Sequence, residues 1–185
     1  MKMNLSLNEL SLLGIEMRKI IKYTLIYAGL FYLILITTAL ISAHLFLSPS
    51  LNPIRERIRE EMSRKVSEIL RSSFPWLRIY GNNLMWALPM TLPYIGIFAF
   101  FFITMNTGIV LGALLSYTTS LSQKLSHILP LFLPHGILES LAYGLALYAS
   151  VNGKRLSYSL KIMIYVAFIL LIAAGVEYLE IMLWS

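Results

Sequence analysis

Carboxylates and a histidine stand inside apolar runs of this sequence, where a charged group costs about 3 kcal/mol or more and therefore needs a partner or a use. His135 and Glu139 are four residues apart in LPHGILESLAYG and share one face of a helix. Pro134 suits the first position of that helix, which puts both groups in its first two turns, where the positive end of the helix dipole favours a carboxylate. Glu177 and Glu180 stand in the last apolar run, within LIAAGVEYLE. By helical rise Glu177 lies roughly 9 Å from the centre of that run, inside an apolar slab of about 15 Å half-thickness. Glu180 and Trp184 fit the membrane interface, as does His44 at the end of the first run. Gly136 and Gly144 allow a neighbouring helix to come close. Three chemistries suit this set: a proton or cation relay, a weak metal site through His135 and Glu139, and a polar lock between helices.

Enzyme signatures are absent. The chain has no HExxH zinc pair, no GxSxG elbow and no phosphate-cradling glycine loop. With no cysteine, thiol and disulfide chemistry is excluded. The reading is a protein that is not an enzyme and carries no cofactor.

The elements that hold these residues follow from composition. Of 185 residues, 58% are apolar and only 13% charged, and the mean hydropathy is +0.74, a balance that calls for a lipid solvent. The net charge of +6 sits largely beside apolar runs, facing anionic headgroups rather than nucleic acid. The first apolar run starts only after Lys22 and has no small-residue cleavage site behind it, so it is expected to stay in the mature chain.

A span needs roughly 20 apolar residues. The expected fold class is all-α, a polytopic transmembrane bundle with spans at about 23–47, 84–105, 126–151 and 158–184. The apolar stretch from Leu84 to Tyr117 would run to roughly 50 Å as one helix, too long for the bilayer. A break is therefore expected at Asn106-Thr107-Gly108, followed by a re-entrant half-helix at 109–120. Asn82 and Asn83 are expected to cap the second span.

The polar segment Ser48 to Asn83 carries an amphipathic surface helix at 53–71, with Asn52 as its cap and Pro53 at its first position. Ile54, Ile58, Met62, Val66 and Ile69 form one stripe; Arg57–Glu61, Glu60–Arg64 and Glu61–Lys65 have ion-pair spacing. Folded over the spans, this helix offers Arg57, Arg64 and Lys65 to a protein partner or to anionic lipid. In a four-crossing frame the seven Lys and Arg of the 48–83 loop share a side with Lys154, Arg155 and Lys161, and outweigh Lys2, Arg18, Lys19, Lys22 and Lys124. The loop at 48–83 is then cytoplasmic, in a multi-pass protein of the cell membrane. A fifth crossing would level that count.

The order of motifs adds a further expectation. Asn82-Asn83, a buried Asn106 near a glycine, Pro-His-Gly-x-x-Glu at 134–139 and LIAAGVEYLE with Glu177 resemble the stage II sporulation protein M family of integral membrane proteins. Asn83, Asn106, Pro134, His135, Gly136, Glu139 and Glu177 match that pattern, and Asn-Thr-Gly stands where Asn-Gly is usual. The resemblance implies a membrane anchor or scaffold within a complex, homo-oligomeric and without catalysis. The alternative from the residues themselves is a transporter or channel component, with a midplane polar site around Asn106, His135 and Glu139.

Overall fold

A computed structural model describes residues 7–118, 120–153 and 156–184, with side chains from Glu16 to Leu183. The calls on Lys154, Arg155 and the Trp184 side chain lie outside it. Seven α-helices and no strand are found among the described residues. They are α1 (Leu7–Leu45), α2 (Asn52–Leu70), α3 (Pro75–Thr91), α4 (Ile95–Tyr117), α5 (Leu121–Ile128), α6 (Pro134–Asn152) and α7 (Leu156–Trp184).

Three segments are long and apolar enough to cross a membrane: Glu16–Leu45 of α1, Ile95–Tyr117 of α4 and Leu156–Leu183 of α7. A fourth span is available if Leu121–Phe132 and Pro134–Asn152 act together across their 52° bend. This is an all-α bundle, and the first and last spans lie where the sequence puts them. The third, expected at 126–151, is broken in its first part, because Pro130 and Pro134 interrupt the helical ladder. A 3₁₀ turn, Leu129–Phe132, joins the halves.

The break expected at Asn106 is absent. α4 runs unbroken through Asn106, Thr107 and Gly108, so the 84–105 span and the 109–120 half-helix are replaced by α3 and α4. Thr104 and Thr107 satisfy their hydroxyls on the Phe100 and Ile103 carbonyls at 2.7 and 2.9 Å, within the helix. The chain turns instead at Leu92–Tyr94, where prolines at 89 and 93 remove donors and Tyr94 takes a φ of 67°. The Ile95 amide donates to the Pro93 carbonyl at 2.7 Å, closing a γ-turn.

Glycines set the closest helix contacts. A methyl at Gly108 would fall 2.7 Å from the Leu35 carbonyl oxygen, and one at Gly112 would fall 2.6 Å from that of Ala39. α1 and α4 therefore pack backbone to backbone and run in the same direction. Gly144 meets α1 at Thr24 and Ala28, and Phe31 packs on Tyr143, so α6 runs against α1. Fully buried Ala142, Ala146 and Ala149 on α6 and Ala173 and Ala174 on α7 keep those helices close. Because α1 and α4 are parallel, the chain must return along the bundle between them, which α3 does beside α6 and α7. By length and composition the crossings number three, or four with the bent pair taken as one span.

α2 forms at 52–70, as its stripe predicts, and buries no residue completely. Asn52 is its first residue rather than its cap, and no side chain caps that end. Its N-terminal part is fixed on α4 by Arg55, whose guanidinium lies 4.4 Å from the Tyr117 ring centre and donates to the Phe46 carbonyl at 3.3 Å.

Candidate functional site: a polar cluster in the bundle interior

Phe31 lies near the middle of the apolar part of α1, and Tyr143 packs on it with ring centres 5.5 Å apart. Glu139 is one turn further along α6 and so stands at the depth of the hydrocarbon core. Three helices bring polar groups to it. Asn83 on α3 donates its side-chain amide to Glu139. Asn83 and Asn82 are in the body of α3, not at its end, so the expected capping role is replaced by this cross-helix bond.

His135 and Glu139, which share a face by spacing, do not pair with each other. His135 Nδ1 bonds to Glu180 on α7 instead. Glu180 is turned into the bundle: its side chain is 17% exposed, and its second oxygen is buried without a partner among the described residues. Helices α3 and α7 pack on each other and on α6, and each takes one polar group from it.

The bend between α5 and α6 is held by groups that the sequence does not point to. The Tyr32 hydroxyl donates to the Leu131 carbonyl at 2.7 Å, satisfying an acceptor that the break frees from the helix, and the Tyr32 ring stacks on Phe132. Gly136 does not receive another helix. A methyl there would strike the Leu131 carbonyl oxygen at 2.5 Å, so the glycine lets α6 start tightly against its own preceding turn.

A cavity of about 420 Å³ opens beside this cluster. Glu139, Glu177 and Asn83 line one side, Phe31 and Tyr143 another, and Asn106 and Thr107 join from α4. Met62, Lys65, Val66 and Ile69 of α2 line it as well, so Lys65 faces the cavity while Arg57 and Arg64 stay exposed. Asn106 thus reaches the site from an intact helix. A second cavity of about 320 Å³, mostly apolar, is lined by His135, Glu177 and Glu180, and Glu177 borders both. Among the described residues no group of three or more His, Asp or Glu is arranged to hold a metal, and His135 and Glu139 point to separate partners.

Of the α2 ion pairs expected, Arg57–Glu61 forms at 3.7 Å. Arg64 turns from Glu60 to Glu68 at 3.8 Å, and Arg59 meets Glu56 at 2.9 Å. All are exposed and contribute little each.

Fold and site together are those of a multi-pass helical membrane protein with a polar interior. Comparison with protein-family models, with curated proteins and with solved structures finds no match.

Proposed function

We propose that this protein is a non-enzymatic scaffold or anchor of the cell membrane, a homo-oligomer that holds a protein partner. One observation carries the reading: two pairs of polar side chains in the interior bond to each other across helices. Asn83–Glu139 ties α3 to α6, and His135–Glu180 ties α6 to α7. Groups paired in this way fix helix positions and give a rigid frame. The frame presents α2, whose Arg57 and Arg64 face outward and are available to a partner or to anionic lipid. The resemblance to the stage II sporulation protein M family points the same way.

A second reading, a transporter or channel component, is favoured by the cavity that Glu139 and Glu177 line. Against it stands the aromatic floor of that cavity, where Phe31 packs on Tyr143 and on the fully buried Phe100. A path through the bundle would have to open this packing.

The two readings separate in a pair of measurements on Glu139→Gln. Scaffolding requires that proteoliposomes of the wild-type protein carry no cation or proton flux and that the substitution alters stability or assembly alone. A flux in the wild type, abolished by Glu139→Gln in a fold that remains intact, would replace scaffold with carrier.

A further inference from the structure

The larger cavity has a lining that scaffolding does not use. Glu139 is satisfied by Asn83, and His135 by Glu180. Glu177 is different: among the described residues no side chain donates a hydrogen bond to it, although it borders both cavities and lies within electrostatic reach of Glu139, His135 and Glu180. Lys65 is the one cationic side chain in the described lining of the larger cavity, against the carboxyls of Glu139 and Glu177. The remaining lining mixes aliphatic side chains, Leu35, Val66, Ile103 and Val110 among them, with the amides of Asn82, Asn83 and Asn106 and with aromatic rings, of which Trp86 and Phe102 stand at its open side.

This combination selects a chemistry. A volume of about 420 Å³ is in the range of small-molecule sites and far larger than an inorganic ion requires. Metal cations such as Ca²⁺ or Mg²⁺ want a close cage of oxygens, which aromatic walls do not provide. An anion would meet two carboxyls. An uncharged apolar molecule would leave Glu177, to which no described side chain donates, facing an apolar guest. A cation whose charge is spread over carbon suits both halves of the lining, since carboxylates and the faces of indole and phenyl rings attract it.

We infer that the cavity beneath α2, lined also by α1, α3, α4, α6 and α7, binds an organic ammonium monocation, with Glu177 as its counter-charge and Trp86 and Phe102 as its aromatic wall. The inference stands apart from the scaffold reading, because binding needs neither a partner nor a flux. α2 lies over the site and is anchored at its N-terminal part, through Arg55 and Arg59 on Tyr117, which leaves its cavity-facing part with no fully buried residue to hold it down.

The test uses the full chain in nanodiscs, titrated calorimetrically with benzyltrimethylammonium and with neopentylbenzene, its uncharged carbon isostere, with empty nanodiscs subtracted. The cation should bind saturably and the isostere should not. Glu177→Gln should weaken binding by at least ~10-fold, as expected when one member of a desolvated charge pair is removed. Trp86→Ala should weaken it too, while Trp86→Phe retains most of the affinity. Melting temperature and gel filtration establish that each variant is folded. If Glu177→Gln fails that check, the Trp86 pair and the isostere decide the matter alone. Equal binding of the isostere, unchanged affinity in folded Glu177→Gln, or displacement by equimolar Na⁺ or K⁺ would overturn the assignment.

Discussion

At the scale of single residues, Glu139 and His135 find their partners on other helices, Asn83 on α3 and Glu180 on α7. Asn83→Ala should leave the Glu139 carboxyl without its donor and destabilise the protein by about 1–2 kcal/mol, read as a lower midpoint in detergent unfolding. Asn83→Ala combined with Glu139→Leu should cost less than the sum of the single changes, because both remove the same bond. Strict additivity would mean that the two groups do not interact. His135 and Glu139 were legible in the sequence as polar residues in apolar surroundings, and Pro134 as the start of their helix. Their partners were not. Spacing shows that His135 and Glu139 share a face of α6, but which helix lies against each part of that face is decided by packing of α3 and α7. Glu180 had a signal, its i,i+3 spacing from Glu177, yet its nearness to the chain end suggested the interface instead.

At the scale of the element, small residues and turns do the positioning. Gly108→Leu should be strongly disruptive, by about 3 kcal/mol or more, since the first added carbon meets backbone of α1 that cannot move aside. Gly81→Ala in α3 has open space around it and should instead raise stability by about 0.5–1 kcal/mol. Comparing the melting temperatures of these two variants checks the assignment of contact glycine against free glycine. Tyr94→Gly should stabilise by about 1 kcal/mol, because it removes a side chain from a positive-φ γ-turn in which it is 76% exposed. Four long apolar runs were readable from hydropathy, and α2 from its stripe. The break was misplaced for a physical reason: Asn, Thr and Gly at 106–108 resemble a turn, but inside α4 the Thr hydroxyl bonds back to its own helix and the glycine meets α1. The true turn lies one stretch earlier, beside Pro89 and Pro93.

At the scale of the whole molecule, parallel α1 and α4 and the bent α5–α6 pair build a frame in which the polar residues are enclosed and the charged face of α2 is displayed. A homo-oligomer assembled through apolar outer faces should persist when Arg57 and Arg64 are both changed to Glu, because those side chains point away from the bundle. Light scattering in mild detergent should then return the same mass for the variant as for the wild type. The central claim, that this frame holds a partner, is tested most directly by recovering the tagged protein from its native membrane in mild detergent and identifying by mass spectrometry what stays bound. The expected result is a stoichiometric protein partner that is lost from the Arg57→Glu/Arg64→Glu variant while the bundle remains folded. Recovery of the chain alone, together with a cation flux in liposomes that Glu139→Gln abolishes, would contradict the scaffold and establish a carrier.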